Sequence, residues 1–198
     1  MKVTRKIKII IGIAIAVLIL GGVTIFGVTQ YQKKKAAKEY AESVKTYSDN
    51  LELATVTMLK GAGDAEDCGN LIKNVWYNAI YKEKDDETDK YTRLDGYFVS
   101  DFNDALGNLF VDSSFSSKID SIDKNQDTVN SLMKKLKNPP EEYKDAYDAL
   151  SDFYDAYLAL TGCATDPSGS LQTYSSTFND ADTDTLNSYK AMQQYLGD

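Results

Sequence analysis

Apolar side chains recur at alternating spacings of four and three residues over residues 40–79, and this repeat constrains the fold more than any other feature. Such spacing places all of them on one face of an α-helix. Because no proline precedes Pro139, one long amphipathic helix is predicted. Its glycines weaken the helix and favour a bend near residues 61–63. The face carries only small residues at Gly61, Ala65 and Cys68, so a partner helix is expected to approach closely there.

The same spacing returns at residues 115–136 and 143–161, and a last helix is expected to begin near Leu171. Residues 82–96 are highly charged and have no apolar period, which predicts a loop or hairpin. The whole pattern predicts an all-α protein in which an N-terminal transmembrane helix precedes an antiparallel bundle of about four long helices, residues 46–198.

Capping patterns set the expected helix ends. Ser100 is expected to cap a short helix that precedes the second long one. Asn138, with Pro139 at the first helical position, is expected to open the next helix, and Gly162 is expected to end it. The apolar period slips around the stretch NDADTD, so the last helix is expected to break into two pieces there.

The transmembrane helix is predicted at residues 9–28 (IIIGIAIAVLILGGVTIFGV), which carry no charge and follow a basic tail at residues 1–8. A helix of this length rises about 30 Å, which matches the hydrocarbon core of a bilayer. A cleaved signal peptide would have a shorter apolar run and a small-residue cleavage site, which the following GVTQYQKKK lacks. Residues 29–45 are expected to form a basic juxtamembrane helix or stalk.

The distribution of charge bears on localisation and partners. Basic residues flank the apolar run equally, but a short N-terminal tail usually stays inside the cell, which predicts a single-pass cell-membrane protein with an extracytoplasmic body. Residues 1–38 hold eight of the 22 basic residues and none of the 30 acidic ones, so the remainder carries 14 − 30 = −16. Such a body repels nucleic acid, and the expected partners are the lipid bilayer and another protein.

The two cysteines, Cys68 and Cys163, predict either a disulfide or two buried thiols. Counting residues up and down the expected helices brings both to a similar height in the bundle. Two cysteines outside the cell are in an oxidising compartment. A bridge that joins the third long helix to the first is therefore a hypothesis for this chain.

Metal and catalytic chemistry have weak support. The chain has no histidine, which is a common metal ligand and general base. Two triplets match the first three ligand positions of an EF-hand loop, namely Asp123, Asn125 and Asp127, and Asp180, Asp182 and Asp184. Both lack the later glycine and glutamate, so the second triplet is only a weak calcium candidate. No catalytic motif occurs, and neither enzymatic activity nor a cofactor is expected.

Aromatic residues supply the remaining candidates for contact. Four tyrosines share one helical face: Tyr143, Tyr147, Tyr154 and Tyr157. This spacing is typical of core packing with the phenol tips at the rim, and an exposed recognition patch is the alternative. Trp76 and Tyr77 lie next to the predicted loop and are better candidates for contact with a partner protein.

The stretches MLKGAGDAEDCGNLIKNVWYNAIY and LKNPPEEYKDAYDALSDFYDAYLALTGC resemble a loose group of uncharacterised membrane-anchored or secreted helical proteins of Gram-positive bacteria. The resemblance implies a bacterial origin and an outward-facing body, and it implies no activity. We expect a non-enzymatic protein that displays its bundle for contact with a protein or the cell envelope, in a role such as phage exclusion or envelope assembly. The alternatives are a calcium- or small-ligand-sensing module and, with inverted topology, an intracellular coiled-coil scaffold.

Overall fold

The computed structural model describes residues 30–196 fully and the helical backbone from residue 5 onward. Its elements are α1 (Arg5–Tyr81), α2 (Asp89–Thr92), β1 (Arg93–Leu94), β2 (Tyr97–Phe98), α3 (Phe102–Val111), α4 (Ser113–Leu136), α5 (Lys144–Thr165) and α6 (Leu171–Gln193). The predicted all-α fold built from long packed helices is confirmed, with a two-stranded hairpin as its one addition in the described part of the chain.

The chain divides into two compact units, residues 1–46 and 47–198. The described part of the first unit is an exposed stretch of α1, in which ion pairs such as Lys35–Glu39 link successive turns at 3.8 Å. Within the described residues, no helix combines the length and the apolar character needed to cross a membrane. The predicted anchor at residues 9–28 lies outside the fully described residues.

In the second unit α1, α4, α5 and α6 pack as an antiparallel bundle. At one end of the bundle Tyr47 Oη donates to the carbonyl oxygen of Leu136 at 3.0 Å. Further along α1, and further back along α4, Asn125 Nδ2 donates to the Thr57 carbonyl oxygen at 3.1 Å. Opposed contacts of the same kind join the next pairs of helices: Asn130–Tyr154 and Gln126–Thr161 for α4 and α5, and Ala156–Thr185 and Cys163–Tyr174 for α5 and α6.

Small residues on α1 allow the close helix packing that the sequence predicted. A Cβ atom at Gly61 would lie 2.7 Å from Asn125 Cγ and 3.0 Å from Tyr157 Cε2. One at Gly69 would lie 2.6 Å from Phe178 Cδ2. Since side chains of α4, α5 and α6 occupy the space that a Cβ would need, glycine at these two positions is part of the packing.

The charged segment after α1 folds into a small hairpin module, and the end of the bundle that carries it is called the hairpin end. Asp95 and Gly96 connect β1 to β2 with φ values of 52° and 87°, the left-handed conformations that a two-residue hairpin turn requires. Asn78 Nδ2 on α1 donates to Thr88 Oγ1 at 2.8 Å and is buried with it. The loop-or-hairpin prediction is therefore confirmed as a hairpin joined to the end of α1.

Several predicted helix ends are wrong for local reasons. Asp101 rather than Ser100 caps α3, since its carboxylate accepts from Asn103 N at 2.8 Å. The helix predicted from Pro139 begins only at α5, after a 3-10 turn at Glu141–Tyr143. A residue that precedes proline avoids helical backbone, and Pro139 itself precedes Pro140, so a helix cannot start there.

The last two helices are longer than predicted. α5 passes through Gly162 and ends at Thr165, and the positive-φ glycine of this region is Gly169 in the following loop. α6 is unbroken through NDADTD. Its buried face continues there through Ala181 and Thr185, a small and a polar residue, which is why the apolar period appeared to slip.

Candidate interaction surfaces

Trp76 belongs to the core, so the prediction that it contacts a partner is wrong. Its side chain is 4% exposed, and its ring lies 5.7 Å from the rings of both Phe102 and Tyr174. Phe102 at the start of α3 and Tyr174 on α6 cover the indole, so a residue next to a charged loop in sequence is buried between helices in space. Its indole Nε1 has no hydrogen-bond partner among the described residues.

Tyr77, the other predicted contact residue, lies on the surface at the hairpin end. It is 48% exposed, and its ring pairs with that of Tyr81 at 4.5 Å. Ile80 on the same turn is also exposed. On the hairpin, Leu94 and Tyr97 stand opposite each other and are 58% and 80% exposed. These five residues are the hairpin-end apolar residues.

Charged residues hold the hairpin rigidly in place. Arg93 on β1 forms an ion pair with Asp89 at 2.5 Å and donates through Nη2 to the Gly96 carbonyl oxygen at 2.8 Å. The same guanidinium lies over the Phe98 ring, 5.4 Å from its centroid. Lys82 at the end of α1 donates to the Val99 carbonyl oxygen at 2.5 Å. These contacts fix the backbone that presents Leu94 and Tyr97. The apolar spacing in the sequence had indicated neither residue, and the dipeptide Asp-Gly, which favours a hairpin turn, was the available signal.

The tyrosines of α5 divide between core and rim. Tyr157 is fully buried and donates to Asn125 Oδ1 at 2.7 Å, and burial, followed by the nearby Tyr154, raises its pKa well above the usual range. The other three tyrosines are half-buried and pack against the core. Phe153, which the sequence placed beside the inward face, is fully buried. The buried face of α5 is therefore centred closer to Phe153 and Tyr157 than predicted.

Cys68 and Cys163 lie at one level of the bundle and are free thiols in this structure. The hydroxyl of Tyr174 lies 3.2 Å from the Cys163 carbonyl oxygen and 3.5 Å from that of Gly69, the residue after Cys68. Burial raises the pKa of both thiols, and Lys118 partly opposes this at Cys68. The thiols therefore stay protonated near neutral pH and are weak nucleophiles. The disulfide stays a hypothesis.

The acidic triplets do not assemble into loops. Asp180, Asp182 and Asp184 lie within α6, where the helical turn places Asp182 on a different side from the other two. In α4, Asn125 uses its side chain to contact Thr57 and Tyr157. Among the described residues, no group of three or more acidic or cysteine side chains is arranged to hold a metal ion.

Comparisons with protein-family models, curated proteins and solved structures found no match to this chain. The resemblance to helical proteins of Gram-positive bacteria therefore stays a prediction.

Proposed function

We propose that the protein is a non-enzymatic, single-pass membrane protein whose acidic bundle contacts another protein of the cell envelope through its hairpin end. The observation that carries this proposal is the exposure of the five hairpin-end apolar residues. They include two neighbouring pairs, Tyr77 with Tyr81 on α1 and Leu94 with Tyr97 on the hairpin. Exposed apolar side chains that lie together mark contact surfaces, and aromatic residues are frequent anchors of interfaces.

Rigidity of the hairpin supports the same proposal. A hairpin tied down by Arg93 and Lys82 loses little conformational freedom on binding, so Leu94 and Tyr97 are already arranged for contact. The bundle beneath them supplies an acidic, solvated scaffold. The absence of histidine from the sequence agrees with a role in binding rather than acid–base catalysis.

The membrane anchor and its orientation are part of the proposal and rest on residues 9–28. Protease added to intact, wall-stripped cells is expected to digest residues 47–198 and leave the anchor with the membrane. Protection of the body until the cells are lysed would favour the inverted topology and the intracellular scaffold.

Site-specific photocrosslinking in the native host tests the contact itself. A photoreactive residue at Tyr77 or Tyr97 is expected to capture one discrete protein, whereas the same residue at exposed Thr128 on α4 is the matched control. Serine at Tyr81 should reduce capture from the Tyr77 position while leaving Trp76 fluorescence native. Equal capture from Thr128 and from the hairpin end would refute the proposal.

A further inference from the structure

Four exposed aliphatic side chains on α1 and α6 play no part in the hairpin end. Leu53, Val56 and Leu59 on α1 are 53%, 56% and 41% exposed, and Leu186 on α6 is 52% exposed. Leu59 and Leu186 line a groove of about 120 Å³ between these two helices, together with Gly63. Apart from its chain neighbours and the backbone of its own helix, no atom lies within 4 Å of the position that a Cβ on Gly63 would occupy, so another backbone has room to approach.

The same groove carries negative charge that the described residues do not neutralise. Glu66 on α1 and Asp182 on α6 both line it. Partial burial, then Asp182 and Asp67, raise the pKa of the Glu66 carboxyl, as expected where like charges share a site. No lysine or arginine of residues 30–196 forms an ion pair with Glu66 or Asp182.

Basic residues nearby are directed to other places. Lys60 is paired with Asp64 at 2.7 Å. Lys190 follows Leu186 by one turn of α6 and therefore lies toward the opposite end of the groove from Asp182. The groove thus has an aliphatic part and, at one end, a carboxylate pair without a cation.

We infer that this groove is a second interaction surface, which binds an amphipathic helix of another protein through aliphatic side chains and a lysine or arginine. Leu59 and Glu66 are seven residues apart on α1, or about 10 Å along the axis. The bound helix therefore carries its cation two turns from an aliphatic residue on the same face. A cation placed between Glu66 and Asp182 relieves their mutual repulsion, which gives charge complementarity to the apolar contact.

Two other occupants fit less well. Calcium takes six to eight oxygen ligands, and the groove offers only two carboxylates among the described residues. No third acidic or cysteine side chain of these residues is placed to complete a metal site. A second copy paired groove to groove would bring Glu66 and Asp182 of both copies together, in bodies that each carry 14 − 30 = −16. Like charges facing each other across an interface oppose such pairing.

Binding of a designed probe peptide to the full chain tests the inference. The probe is a fluorescent amphipathic helix with leucines along one face and arginines two turns further along it, and the control peptide has glutamate in place of the arginines. Anisotropy should show saturable binding of the arginine peptide alone. The double variant E66Q/D182N should weaken binding about tenfold, the equivalent of about 1.4 kcal/mol.

The matched control is D123N/D127N, which removes two exposed carboxylates from α4 and should leave the affinity unchanged. Leu186→Ser should abolish binding while Trp76 emission remains native. Equal weakening by both double variants, or no binding of the arginine peptide, would overturn the inference. Self-association in sedimentation that Leu186→Ser removes would instead assign the groove to a second copy. Replacing Tyr77 and Tyr97 with serine should not change the affinity for the arginine peptide. The proposal for the groove and the proposal for the hairpin end are therefore tested separately.

Discussion

Gly61→Ala is expected to destabilise the bundle, although the same substitution in an open helix would stabilise it. The new Cβ would lie 2.7 Å from Asn125 Cγ and 3.0 Å from Tyr157 Cε2. Asn125 would have to move, and its side chain holds two helices by donating to the Thr57 carbonyl oxygen and accepting from the Tyr157 hydroxyl. The substitution therefore disturbs the contact at which α1, α4 and α5 meet.

The expected magnitude follows from three contributions to the free energy of unfolding. Replacing glycine by alanine within a helix contributes about 1 kcal/mol of stabilisation. Overpacking of a core costs about 1–3 kcal/mol, and each of the two weakened hydrogen bonds costs about 0.5–1.5 kcal/mol. These contributions sum to a loss of about 1–5 kcal/mol. The central value of about 3 kcal/mol corresponds to a fall in Tm of roughly 6–12 °C for a unit of this size.

Gly63→Ala is the matched control, since Gly63 lies on the same helix and its added Cβ would meet no atom of another helix within 4 Å. It should gain about 1 kcal/mol from helix propensity alone. Urea unfolding of the full chain, followed by fluorescence of the single tryptophan, Trp76, and by circular dichroism, measures both variants. If Gly61→Ala is as stable as Gly63→Ala, close packing at Gly61 does not make a larger side chain destabilising, and the reasoning is refuted.

Three further outcomes are expected. Burial, and then Tyr147, raise the pKa of Tyr47 to about 12. The stability that this tyrosine contributes should be complete below about pH 10 and be lost toward pH 12. The urea concentration at the unfolding midpoint should therefore fall less over this pH range in Tyr47→Phe than in wild type. The Asp112 carboxylate accepts hydrogen bonds from Ser114 and Phe115, which lower its pKa to about 2. The difference in unfolding free energy between wild type and Asp112→Ala should therefore be present above about pH 4 and shrink as the pH falls through 2. A difference that does not depend on pH would contradict this. Cys68 and Cys163 should react slowly with iodoacetamide in the native chain, and both should react fully after unfolding without reductant, as measured by mass spectrometry. If neither cysteine reacts in the unfolded chain, the result would instead support the disulfide hypothesis.

The helical fold could be predicted because burial of one face leaves a periodic trace in the sequence. The repeat in α1 and its small residues predicted both the long helix and the close contact that Gly61 makes, whereas the close contact at Gly69 was not predicted. The trace fails where buried positions use residues that are not obviously apolar. Burial of Thr185 is tolerated because its hydroxyl lies within hydrogen-bond distance of two carbonyl oxygens, Ala181 at 2.7 Å and Ala156 at 3.1 Å. Its polar side chain hid the continuity of α6.

The candidate surfaces were less predictable, since exposure depends on what covers a residue. Trp76 and Tyr77 are neighbours in sequence, yet residues of α3 and α6 cover the first, and the second stays exposed. Glu66 and Asp182 are more than 100 residues apart in the sequence. Only the antiparallel packing of α1 and α6 places them in one groove.

The sequence by itself determined the helical class, the acidic body and the order of the long helices, because each depends on composition or on a period within a single segment. The tertiary structure decided which side chains remain in contact with solvent. That choice depends on the rotation of each helix about its axis and on the small elements that cover its ends. The spacing within one helix indicates its buried face but not which other elements cover the remaining residues, so Tyr97 and the α1–α6 groove emerged only from the packed bundle.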